Sequence, residues 1–215
     1  MGNKSILIPL FSEMNSRLSY LSVFVLAITS TIGFAQTPLA IGSTMPLGDV
    51  GMEDVSERSL SLNDISEENG LMVLFISNTC PWVLHYEEII LEISNYAEQN
   101  DIGVVALNPN EGYRERGDNM EEMIKHADKI DYGFPYLLDE NHQIADAFGA
   151  RRTPEIYLFN SESTLVYRGA IDDKTIDPNG IQTSHLRLAI DSILSGESVA
   201  TSTTPLVGCT IKRAS

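Results

Sequence analysis

Cysteine is scarce in this sequence: Cys80 and Cys209 are the only two among 215 residues. Two thiols exclude a disulfide-dense scaffold and a four-cysteine zinc site, and each has to be accounted for singly. Basic residues are also few, 14 Lys and Arg against 30 Asp and Glu, for a net charge of −16. That balance repels phosphate backbones and anionic bilayers, so nucleic acid and membrane surfaces are not expected partners. The histidines at 85, 126, 142 and 185 are scattered, with no zinc-like spacing. The carboxylate-rich stretch from Asp172 to Gly180 lacks the calcium-loop order. There is no glycine-rich phosphate loop, Gly-x-Ser-x-Gly elbow, internal repeat or low-complexity tract. No metal, nucleotide or flavin is therefore implied, and no cofactor is expected. The length suits one domain of ordinary size with an extension.

Residues 18–35 form an apolar run interrupted by Ser and Thr, with Arg17 before it and Gly33-Phe34-Ala35 at its end. Charged, apolar and small residues in that order are the signature of a secretory signal peptide. The run falls a little below the ~20 apolar residues of a membrane span. The expected division is a signal peptide over 1–35, cleaved before Gln36, a domain over 36–198 and a C-terminal arm over 199–215. No stable membrane insertion is expected after cleavage, and the product is read as exported, periplasmic or secreted. There a disulfide can persist.

Strand and helix signals alternate along the domain. Leu71 to Ser77 and Ile102 to Leu107 are apolar runs of strand length. Val83, Tyr86, Ile90, Ile93 and Ala97 recur at helical spacing over 81–99, and a second helix is predicted within 118–131. A short strand over Pro135–Leu138 and a short helix over 141–148 ending at Gly149 follow. Glu155–Phe159 and Thr164–Arg168 read as an antiparallel hairpin across Asn160–Ser163, and Leu186, Ile190, Ile193 and Leu194 mark a closing helix. Residues 36–60 and 196–215 read as extended arms. The pattern implies an α/β sandwich with a central mixed sheet.

Cys80 lies where the first of these strands meets the first helix, directly before Pro81. Proline suits the first helical position, where its missing N–H would have been unpaired anyway. Cys80 is thus expected at the helix N-cap, where free N–H groups and the dipole favour a thiolate, and is expected to be more exposed than a structural cysteine. A thiolate there suits attack on a disulfide or a peroxide.

Thr79-Cys80-Pro81-Trp82-Val83, followed by His85, resembles the active-site segment of thioredoxin-fold redoxins, and more narrowly the peroxiredoxin-like branch of the alkyl hydroperoxide reductase/thiol-specific antioxidant family. The resemblance continues through Phe134-Pro135, Ile144 to Ala150, Arg152-Thr153-Pro154-Glu155, Leu165 to Gly169 and Gly208-Cys209-Thr210. It implies a thioredoxin-like three-layer sandwich, with Thr153-Pro154 as the cis-proline turn facing Cys80. It also implies substrate contacts from Thr79, Pro81, Trp82, Arg152, Thr153 and Pro154. The departures are equally plain. The second position of a Cys-x-x-Cys pair is Val83, and the standard peroxidatic positions carry Val73 and Ser77.

Three readings of Cys209 stand open: a thiol that resolves oxidised Cys80, a static staple, or a cysteine left free or paired between chains. A staple closing a loop of about 130 residues contributes ~4–5 kcal/mol by chain entropy. The function expected is an exported thiol-dependent oxidoreductase of antioxidant type, acting on a hydroperoxide or disulfide with an external thiol reductant. The competing reading is a non-catalytic thioredoxin-fold binding module stapled by Cys80 and Cys209.

Overall fold

From Leu71 to Ile76 every residue is apolar, a run that only a strand covered on both faces can bury. In the computed structural model, which describes Gly2, residues 37–171 and residues 184–214, all six residues are buried. A small hairpin of β1 (Met52–Glu53) and β2 (Ser59–Leu60) leads into α1 (Leu62–Ile65), then β3 (Gly70–Phe75), α2 (Pro81–Glu98) and β4 (Ile102–Asn108). A 3-10 helix over Glu111–Arg116 precedes α3 (Met120–Ile130) and β5 (Tyr136–Leu138). After a 3-10 turn at Glu140–His142 come α4 (Gln143–Phe148), β6 (Arg152–Thr153), β7 (Glu155–Phe159), β8 (Leu165–Gly169), α5 (His185–Leu194) and β9 (Cys209–Thr210).

The central sheet runs β5-β4-β3-β7-β8, with β3, β4 and β5 parallel and β7 and β8 antiparallel. Alternate residues of each strand serve opposite faces. Met72, Leu74, Val104 and Ala106 pack with the Val83, Tyr86 and Ile90 stripe of α2, with Met123 of α3 and with Leu186 and Ile190 of α5. Leu71, Val73, Phe75, Val105 and Leu107 pack on the other face against Ile144 and Phe148 of α4 and against Leu62. Each fully buried aliphatic side chain contributes roughly 1.5–3 kcal/mol of transfer free energy. The result is the expected three-layer α/β sandwich with a mixed sheet.

Three local readings change. The hairpin loop extends one residue further, because Thr164 bridges Thr44 and the β7–β8 ladder resumes at Leu165. The short helix starts at Gln143 rather than 141, since Asn141 and His142 sit at φ 55° and 48°, outside helical space. Both arms dock on the domain: Met45, Met52 and Ile211 are buried in the core, and β9 pairs with β6. Among the described residues no helix is long and apolar enough to cross a membrane. The expected signal peptide and the Asp172–Gly180 turn lie outside the described residues.

Candidate redox site

Cys80 is the N-cap of α2, with extended backbone and Pro81 at the first helical position. It is 2% exposed, which corrects the expectation of an open thiol. The cover is the C-terminal arm: across the β6–β9 ladder Thr153 is the Cα partner of Cys209, and Arg152 that of Thr210. The Cys80 thiol donates to the Thr153 carbonyl at 3.1 Å, and Ser77 Oγ lies 3.4 Å from Thr153 Oγ1. The Thr153-Pro154 peptide bond is cis, as the resemblance implied.

The two cysteines meet. Both are thiols, and Cys209 lies close enough to Cys80 and to the Trp82 backbone N–H for both to shift its titration. Burial, followed by the neighbouring Cys80, pushes the Cys209 thiol up from 9.0 to about 11, against the opposing pull of the Trp82 N–H and Lys212. Cys209 is therefore protonated near neutral pH. Trp82 is 37% exposed beside the pair, and its ring meets His85 edge-on at 6.3 Å. The Arg152 guanidinium donates to the Gly208 carbonyl at 2.7 Å and so fastens the arm.

A second layer of the site was not foreseen. Asp118 is fully buried at the entry to α3. Its carboxylate accepts from Asn78 N–H at 2.9 Å, Thr79 Oγ1 at 2.6 Å, Asn108 Nδ2 at 3.0 Å and Asn110 Nδ2 at 3.0 Å. Asn110 Oδ1 in turn accepts from Lys212 N–H at 2.9 Å. Through Asn110, one carboxylate thus links the loop before Cys80 to the arm just beyond the strand that carries Cys209. Glu155, also fully buried, accepts from the Arg151 and Arg152 backbone N–H groups at 2.8 and 3.0 Å and from the Tyr157 hydroxyl at 2.9 Å, which fixes the turn entering β6. Polar residues at strand ends read as turns in a sequence, and only the sheet order brings these together. Among the described residues no group of three His, Cys, Asp or Glu side chains is placed to hold a metal.

This geometry can support thiol chemistry, and comparison with known proteins agrees. The sequence profile of the AhpC/TSA family matches residues 41–168. The chain belongs to the AhpC/TSA family. It is an oxidoreductase of the redoxin type, and the matched segment holds Cys80 and Pro154 but stops short of Cys209. The thiol-disulfide oxidoreductase ResA of Halalkalibacterium halodurans is 26% identical over 170 residues, covering 75% of this chain and 89% of ResA. A hypothetical protein, SMc02350 of Sinorhizobium meliloti 1021, superposes with a TM-score of 0.75 at 30% identity, covering 83% of this chain and 97% of its own. An uncharacterized conserved protein from Geobacillus kaustophilus superposes at 0.74 with 32% identity, covering 81% and 93%.

Proposed function

We propose that this AhpC/TSA protein is an exported two-cysteine thiol-disulfide oxidoreductase in which Cys80 is the nucleophile and Cys209 the resolving thiol. The observation that carries the reading is the contact between the two thiols, held by pairing of Thr153 with Cys209. The Cys80 thiolate attacks one sulfur of a substrate disulfide, and the other sulfur leaves as a thiolate. Cys209, losing its proton, then attacks Cys80 Sγ and expels the remaining substrate sulfur as a thiol. Two electrons have passed to the substrate, and the protein holds a Cys80–Cys209 disulfide for an external thiol reductant to reopen. Thr79, Pro81, Trp82, Thr153 and Pro154 border the reacting sulfur, and a substrate reaches it by displacing the docked arm.

The disulfide is the preferred substrate because Val73 and Ser77 occupy the places of the peroxidatic motif. A hydroperoxide would enter the same cycle by giving its distal oxygen to Cys80 as a sulfenic acid and leaving as an alcohol, after which attack by Cys209 releases water. The leader over 1–35 supports a location outside the cytoplasm, with residues 36–198 as the domain and 199–215 as the arm.

The deciding experiment mixes the reduced protein with a small disulfide or with hydrogen peroxide. Trp82 fluorescence is followed by stopped flow, with products read by mass spectrometry alongside Cys80→Ser and Cys209→Ser. Fast Cys80-dependent exchange ending in the Cys80–Cys209 bridge supports the proposal, with Cys209→Ser stopping at the mixed disulfide. Reaction with peroxide alone moves the activity to the peroxidase. Silence with both leaves a binding module in which the same contact is a staple.

A further inference from the structure

Only 14 Lys and Arg occur in this acidic chain, yet three arginines line one cavity of about 450 Å³. Arg151 and Arg152 come from the turn into β6 and Arg168 from β8; the opposite wall is the arm, from Thr204 to Leu206 and at Thr210. The volume lies within the range of small-molecule sites. No carboxylate side chain lines the cavity. The nearby Glu155 is buried and already accepts three hydrogen bonds.

The guanidiniums are poorly satisfied. Among the described residues none of the three forms a salt bridge, and Arg168 Nε is buried without a hydrogen-bond partner. Arg152 spends one N–H group on Gly208. A buried cationic donor without a partner costs free energy that an anion can recover. Planar guanidiniums gathered from the entry to β6 and from β8 match the oxygens of a phosphate or carboxylate.

The position of the cavity gives it a second property. Side chains alternate across a ladder, so Arg152 and Thr210 project to the face opposite Thr153 and Cys209, with which they alternate in β6 and β9. The cavity therefore lies behind the ribbon, on the face away from Cys209. Its walls belong partly to the domain and partly to the arm, so an occupant bridges the two. We propose that this cavity is an anion site for a small molecule bearing phosphate or clustered carboxylate groups, and that its occupancy clamps the arm and keeps Cys209 over Cys80. Binding that requires the docked arm must stabilise the docked arm. The proposal rests on the docking, not on the catalytic cycle, so a silent turnover assay leaves it standing.

The test uses the full chain, reduced, titrated calorimetrically with inorganic phosphate and separately with citrate, against sodium chloride at equal ionic strength. In parallel, mass spectrometry follows alkylation of Cys80 by iodoacetamide. The expected result is saturable binding of at least one polyvalent anion with several-fold slower alkylation of Cys80. Arg168→Gln should weaken binding about tenfold or more and abolish the slowing. Arg151→Gln, at an exposed position, should weaken both and serves if Arg168→Gln does not fold. Which of phosphate and citrate binds tells the phosphate source from the carboxylate one. Heat no greater than that of chloride, or binding undiminished in the folded variants, overturns the site. Saturable binding that leaves Cys80 alkylation unchanged overturns the clamp.

Discussion

Thr153 and Cys209 are paired across the ribbon of β6 and β9, and the Thr153 carbonyl also accepts the Cys80 thiol at 3.1 Å. A single residue beside the cis peptide therefore positions both sulfurs. The arm pairs along β6, so in the proposed cycle, where an extended substrate would use that edge, closing the arm and admitting a substrate are alternatives.

Gly208 sets how closely the arm can approach. A Cβ at this position would lie 2.4 Å from the Thr153 carbonyl oxygen and 3.2 Å from Pro154 N, contacts that backbone atoms cannot yield cheaply. Gly208→Ala should push Cys209 away from Cys80 at a cost of about 1–3 kcal/mol to docking. Formation of the Cys80–Cys209 bridge, followed by acid quench and mass spectrometry after a disulfide pulse, should slow about tenfold or more. Mixed-disulfide formation at Cys80 should be as fast as in the parent or faster. Unchanged bridge formation would show that the arm does not need this close approach.

The high-lying Cys209 thiol has a kinetic consequence. With its titration pushed up to about 11, the thiolate fraction grows about tenfold per pH unit through neutral and mildly alkaline pH. Alkylation of Cys209 in the reduced protein should keep rising past pH 10. Cys80→Ala removes the partner that helps raise it, so the midpoint should move down in that variant. A plateau near pH 9 in the parent would contradict the assignment.

Asp139 couples stability to acidity. Burial raises its carboxyl from 3.8 to about 6, although the Ile144 and Ala145 backbone N–H groups, each 2.9 Å away, and His142 and Arg114 pull the other way. Between these two values the folded chain retains a proton that the unfolded chain has released, so the contribution of Asp139 falls as pH rises through that window. The full fall is about 3 kcal/mol. Urea denaturation at a series of pH values should show the parent losing stability relative to Asp139→Asn between pH about 4 and 6 and running parallel to it above 7. A constant difference across the window would sink this account.

The layered fold was legible in the sequence because its strands carry their own signal. Leu71 to Ile76 and Ile102 to Leu107 are apolar at nearly every position, and the Val83–Ala97 stripe has one helical period; these residues form the core. Cys80 at a proline-started N-cap was legible for the same local reason. The burial of Cys80 was not, because the strand that covers it lies some 130 residues along the chain. Neither was the arginine cavity, whose three guanidiniums come from the entry to β6 and from β8 and whose far wall is the arm. Asp118 falls at the start of the predicted second helix, and no local pattern marks Asn78, Asn108 and Asn110 as its partners. Their meeting depends on the β3–β4 register, which periodicity does not encode.

Asp118 offers the sharpest test of how far the two halves of the site are joined. Its carboxylate takes four donors, two from the segment before Cys80 and two from carboxamides at the end of β4 and just beyond it, and Asn110 passes the connection on to Lys212. Asp118→Ala strands buried donors that water cannot easily reach, at roughly 1–3 kcal/mol each where no relaxation helps, so unfolding in urea should show a loss of at least about 3 kcal/mol. Asn110→Ala breaks only the link to the arm while leaving Asp118 its other three donors. It should cost less global stability, about 1–2 kcal/mol, yet increase hydrogen exchange at Lys212 and alkylation of Cys80. If Asn110→Ala lowered stability as much as Asp118→Ala and left Cys80 protected, the network would be a core support rather than a connection between the two cysteines.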